Sequence, residues 1–133
     1  MPSVRPYHLR TSDKAEKRLD EIIDWLKTIS PETAERFIDR LTAEFVLICQ
    51  RLADGETPLF DSEASIAFAR RTYLHRFRTG QGRRRTSAGA WFVYYEIGDA
   101  DSDGLPDMVY VITVRHAASR PLLEEMLDSE NGV

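Results

Sequence analysis

Two histidines and the arginines beside them are the residues of this chain best suited to chemistry. His75 stands with Arg76 and Arg78 in the run RRTYLHRFR, and Arg115 precedes His116 at the end of a later run. Imidazole titrates where a proton can be both taken and returned, and guanidinium offers a planar fork matched to phosphate oxygens. Metal-independent RNA cleavage asks for those functions: a base for the 2′-hydroxyl, a donor for the leaving 5′-oxygen, and cations for the charge that builds on phosphorus. His75, His116 and Arg115 are the candidate catalytic set only if the chain is a ribonuclease. Their spacing argues against one shared site, because neighbours in a regular strand point to opposite faces. Arg115 and His116 diverge, and His75 points away from Arg76 and Arg78, unless a strand ends or bulges. The same cations also suit a mechanism without chemistry, in which a basic surface recognises another macromolecule.

The distribution of charge supports such a surface. Lys and Arg number 18 against 22 Asp and Glu, a formal net charge of −4. From Ala64 to Tyr95 there is no acid, while arginine recurs at 70, 71, 76, 78, 83, 84 and 85. A basic middle in an acidic frame predicts a face that meets an anion, either nucleic acid or an acidic protein. Arg71, Arg76, Arg78, Arg83, Arg84 and Arg85 are the candidate target-binding residues.

A second constellation is Asp99, Asp101, Asp103 and Asp107, with Gly104 among them, in the pattern D-x-D-x-D-G-x-x-D. Alternating carboxylates around a sharp glycine turn can wrap a calcium ion. Tyr110 stands where an EF-hand loop would place its bidentate glutamate, so the competing reading is a polar hairpin turn. A structural calcium is thus an expectation, and no cofactor is required otherwise. Cys49 lies within the apolar run FVLIC, with no basic residue close by, and is expected to be an inert packed thiol.

These residues need elements to position them. Ala15, Leu19, Ile22, Leu26 and Ile29 recur in steps of four and three, which predicts one apolar stripe on a helix. Asp13 with Glu16, or Ser12 in place of Asp13, can cap its start. Ser30-Pro31-Glu32 stops this helix and opens another with almost no linker, so the two fold back on each other. The second helix carries Ala34, Phe37, Leu41, Phe45, Ile48 and Leu52 and ends near Asp54-Gly55. Its run from Phe45 to Cys49 leaves little polar face and is expected to be buried within the chain.

After a loop over 56–64, β-branched and aromatic residues gather in three runs, 71–78, 91–97 and 108–115, and residues 7–10 can supply a short strand before the helices. Both alternating sets of the last run are apolar, as in a strand covered on both faces, so it is placed centrally. The expected fold class is α+β, an N-terminal helical hairpin packed on one face of a small, mostly antiparallel sheet. Leu122, Leu123, Met126 and Leu127 after Pro121 predict a short closing helix, and 128–133 a frayed tail.

Length and composition are those of one ordinary globular domain spanning 1–133, with 42% hydrophobic and 30% charged residues. One cysteine excludes an internal disulfide framework. No apolar run approaches the roughly 18 residues of a membrane span, and the N-terminus shows no signal core, so a cytoplasmic, membrane-free protein is expected.

In order and spacing, the whole chain resembles the RelE/ParE superfamily, the toxins of type II toxin–antitoxin pairs often called plasmid stabilisation proteins. The segments that carry the likeness are TSDKAEKRLDEIIDWL, SPETAERFIDRL, RRTYLHRFR, WFVYYEI and the final VRH followed by AASRP. The resemblance implies a RelE/ParE-like sheet and hairpin, a cognate antitoxin wrapped on the toxin, and a target in either DNA gyrase or ribosome-bound mRNA. Members that bind gyrase are non-enzymatic inhibitors, and members that cut mRNA are endoribonucleases. The long second helix and the absence of lysine beyond the first favour the gyrase branch. The acidic pI of about 5.4 departs from the usual basic ribosome-cutting member, and the loop after Ile97 is longer and richer in aspartate than the family resemblance leads one to expect. A non-toxic, basic-faced binding module on the same scaffold is the alternative from another class.

Overall fold

The structure is a computed structural model in which residues 6–79, 90–99 and 106–117 are described. The element order is β1 (His8–Thr11), α1 (Asp13–Ile29), α2 (Pro31–Ala53), β2 (Leu59–Phe60), α3 (Ser62–Ala67), β3 (Tyr73–Arg78), β4 (Ala90–Gly98) and β5 (Met108–His116). The strands form one sheet in the order β1-β5-β4-β3-β2, in which β1 runs parallel to β5 and every other pair is antiparallel. The fold is α+β as expected, with the α1–α2 hairpin on one face of the sheet.

Capping explains why the hairpin is so tight. Ser12, rather than Asp13, caps α1, its Oγ accepting the Ala15 N–H at 2.9 Å. Ser30 ends α1 by donating its N–H to the Leu26 carbonyl, then caps α2 by accepting the Thr33 N–H on its Oγ at 3.0 Å. Its extended backbone turns the chain in a single residue, and Pro31 follows where its missing N–H is not needed. At the far end Gly55, with φ +84°, takes the left-handed cap, and the Glu56 N–H reaches back to the Arg51 carbonyl.

The main core lies between hairpin and sheet. Ile22 and Leu26 of α1 and Phe37, Leu41 and Ile48 of α2 pack on Phe77, Trp91, Val93, Val109 and Val111. Each such side chain contributes about 1.5–3 kcal/mol on full burial. Phe37 is the pivot, 4.6 Å from Trp91 and 6.3 Å from Phe77 between ring centroids. A second, smaller core on the opposite face joins Ala64 of α3 to Leu74 and Tyr94. The loop expected over 56–64 thus contains β2 and begins α3, which Asp61 caps through the Ala64 N–H at 2.8 Å.

Burial of the apolar run in α2 is only partial. Ile48 is buried, but Val46 is 52% exposed, and Phe45 and Cys49 are half-covered beside Tyr7 and Leu9. The last described strand, β5, is interior, between β1 and β4, and its pairing with β4 carries a bulge: Tyr94 faces Thr113, whereas Tyr95 faces Val111, leaving Ile112 over. Ser12 stitches that irregularity, donating its N–H to the Val111 carbonyl at 3.0 Å and its Oγ–H to the Ile112 carbonyl at 2.9 Å.

Candidate functional site

The bulge decides which residues share a face. Val109 and Val111 point to the hairpin, and uninterrupted alternation would send Arg115 there and His116 to the other side. One extra residue reverses this. Val114 joins the main core, His116 stands 4.8 Å from Trp91 and 6.3 Å from Trp25 of α1, and Arg115 emerges on the α3 face.

On that face a single cross-strand row runs Arg76, Phe92, Arg115. Neighbouring strands lie about 4.8 Å apart, so about 10 Å separates the two arginine backbones, with the phenylalanine ring between them. The Arg76 guanidinium lies 5.9 Å from the Phe92 centroid, within cation–π range. Arg78 is exposed two residues further along β3, on the same side. Arg115 is 6% exposed and hydrogen-bonds the Tyr94 hydroxyl, which burial pushes above the ordinary phenol range and the guanidinium pulls back.

The helix α3 covers one part of this face and leaves the arginine row at its side. Phe68 meets Tyr94 edge-on at 6.1 Å, and the Lys14 ammonium, from the first turn of α1, lies 5.5 Å from the Phe68 centroid. Asp61 and Glu63 supply negative charge near Tyr94. Further along, Arg70 pairs with Glu96 at 3.2 Å. The arrangement suits an anionic partner: Arg76 and Arg78 present exposed guanidinium groups beside the Phe92 ring, the buried Arg115 adds positive charge behind them, and Lys14 lies over Phe68 nearby.

The sequence-predicted residues divide between places. Arg76, Arg78 and Arg115 come together. Arg71 does not join them: it stacks on Phe60 at 4.9 Å and donates from Nε to the Tyr73 hydroxyl at 2.8 Å, at the β2 edge. Arg83, Arg84 and Arg85 lie outside the described residues.

Neither histidine of the candidate catalytic set reaches the arginine row. His75 is buried on the hairpin side, its Nε2 3.4 Å from Glu44 Oε1, and Arg40 lies 3.6 Å from the same oxygen. Desolvation holds His75 below the usual imidazole range, outweighing the pull of Glu44, so the contact is a neutral N–H donating to a carboxylate rather than an ion pair. His116 shares its row with Phe77 and Trp91. The third histidine, His8, sits on β1 opposite Met108, at the far end of β5 from Arg115.

Of the aspartates, Asp99 ends the described part of β4's exit, and Asp107 is 3% exposed at the entry to β5, its N–H donating to the Gly98 carbonyl and its carbonyl accepting the His8 N–H. Asp101 and Asp103 lie outside the described residues, as do the helix expected after Pro121 and the tail. Cys49 is half-buried, and burial pushes its thiol up, in keeping with an unreactive side chain.

Lys14, Phe68, Phe92 and Tyr94 were not legible as site residues from spacing in the arginine run. The alternation of β4 is the signal that finds Phe92 and Tyr94, whereas nothing local marks Lys14.

No helix among the described residues is long and apolar enough to cross a membrane. Compared with known families, residues 9–121 match the model described as ParE toxin of type II toxin–antitoxin system, parDE. No curated protein and no solved structure matches the chain.

Proposed function

The chain belongs to the ParE toxin family of type II toxin–antitoxin systems, and we propose that it arrests growth by binding DNA gyrase through the arginine row of its α3-side face, without performing chemistry of its own. Its partner in the cell is a cognate antitoxin, as membership of such a pair implies. The observation that carries the reading is the separation of faces. Arg76, Arg78 and Arg115 converge on one side, and the two histidines that a ribonuclease would use are packed on the other, His75 against Glu44 and His116 against Trp91. A face built from guanidinium groups and rings recognises an anionic surface by multidentate hydrogen bonds and stacking.

The antitoxin's apolar helix and acidic side chains are then suited to cover the hairpin and the arginine-bearing strand. Trp25, Ile29 and Val46 expose apolar area on the hairpin, and a groove of about 360 Å³ opens between β1 and α2, lined by Tyr7, Leu9, Phe45 and Val46.

The test uses purified protein in a gyrase supercoiling assay, alongside mapping of mRNA ends after induction in cells. Inhibition of supercoiling that is lost in Arg76→Gln/Arg78→Gln supports the reading. New ribosome-associated mRNA ends with unimpaired gyrase would replace it with the endoribonuclease.

A further inference from the structure

A cleft of about 330 Å³ lies between the C-terminal half of α2 and the outer edge of β3, where Arg76, at the β3 end of the arginine row, is also part of its lining. It exists because β2 is only two residues long and pairs with Tyr73 and Leu74 alone. Beyond that point the chain from Glu56 to Pro58 stands off as a wall, and α2 supplies the wall opposite. The volume falls at the small end of the range that ligand sites occupy.

We propose that this cleft binds a small molecule made of a short apolar chain bearing a single carboxylate, with the carboxylate received by Arg51 and the Tyr95 hydroxyl. Ile48, Leu52 and Leu59 provide apolar lining for the chain. Tyr95 is 4% exposed, it lines the cleft, and its hydroxyl has no hydrogen-bond partner among the described residues. A hydroxyl that opens on the cleft with no protein acceptor is placed to donate to one that enters. Desolvation pushes the Tyr95 phenol up to about 12, so the group is a donor throughout the physiological range.

Arg51 completes the recognition. Its Nε lies 3.6 Å from Glu56 Oε2, and both side chains are more than half exposed. Such a solvated pair contributes little and yields readily to a better-placed carboxylate. A guanidinium fork and a phenol together match two oxygens of one carboxylate, and Ile48, Leu52 and Leu59 offer the ligand's chain apolar contact that a bare inorganic ion cannot use. Glu56, at the rim, competes with the ligand for Arg51.

Amide chemical-shift titration of the full-length, isotope-labelled chain tests this, with 4-methylpentanoate as probe and 4-methylpentan-1-ol and inorganic phosphate as controls. Saturable shifts centred on Ile48, Arg51 and Tyr95 are expected for the carboxylate, with at least tenfold weaker binding of both controls. Arg51→Gln is expected to weaken 4-methylpentanoate at least tenfold, Tyr95→Phe severalfold, and Glu56→Gln to strengthen it. Shifts that do not saturate, that scatter over the surface, or that survive Arg51→Gln unchanged would overturn the proposal. Equal binding of the alcohol or of phosphate would overturn it as well. The readout is independent of toxicity, and Arg51 and Glu56 are surface positions whose replacement leaves the core intact.

Discussion

His75 Nε2 and Glu44 Oε1 stand 3.4 Å apart, tying β3 to α2 beneath the sheet, and the histidine in that contact is neutral. Because its folded value lies below that of the unfolded chain, the contribution to stability is complete above about pH 6.5. As pH falls through that value the unfolded chain takes up the proton first, and stability declines until the folded value is passed. Urea midpoints at pH 7.5 and 5.5 are expected to differ more in the native chain than in His75→Gln, which keeps an N–H donor toward Glu44 but cannot titrate. Equal pH dependence would show that groups other than His75 govern the acid response.

Growth arrest is expected to persist in His75→Gln/His116→Gln. Both side chains sit on the hairpin side of the sheet, where they pack rather than meet a target. Loss of arrest in a variant that is soluble and folded by circular dichroism would return the histidines to a catalytic role.

Arg76 and Arg78 are exposed, so replacing each with Gln should change stability by no more than about 0.5 kcal/mol. Affinity for gyrase should fall about tenfold per arginine, the value of one charged hydrogen bond at a partly wet interface. Arg76→Lys is expected to restore little, because ammonium lacks both the fork and the planar stacking over Phe92. Surface plasmon resonance against immobilised gyrase reads all three.

Ser12→Ala removes a helix cap and the strut under the β5 bulge at once. Each interaction is worth about 1 kcal/mol, so a loss of about 2 kcal/mol in urea unfolding is expected. A loss below about 0.5 kcal/mol would mean that the bulge holds its shape without the serine.

For the aspartate loop, isothermal calorimetry with calcium is expected to register binding in the millimolar range, with a matching rise in melting temperature. Absence of both would reduce the segment to a turn between β4 and β5.

Periodicity made most of the fold readable. The helical stripes from Ala15 and from Ala34, the Ser30-Pro31 junction and the aromatic and β-branched runs all announce themselves locally, because each buries a face that its spacing defines. Two features had no such mark. The six residues of α3 are too few and too small to show a stripe, and their place is set by Ala64 docking against Leu74 and Tyr94. The bulge at Ile112 belongs to the pairing of two strands rather than to either sequence, yet it is what carries Arg115 to Arg76 and His116 to Trp91. Strand parity alone could therefore separate Arg115 from His116 but not tell which of them would join the arginines.

The slot that β5 fills between β1 and β4 sets an order of events. The first described strand has no neighbour to pair with until the last one is made, as the Ser12–Ile112 bond spanning 100 positions illustrates. Such long-range closure is slow, and it comes late in synthesis. Since one end of the guanidinium row rides on β5, a nascent or truncated chain lacks the complete row. On the gyrase-binding reading proposed above, toxicity then waits for the finished architecture.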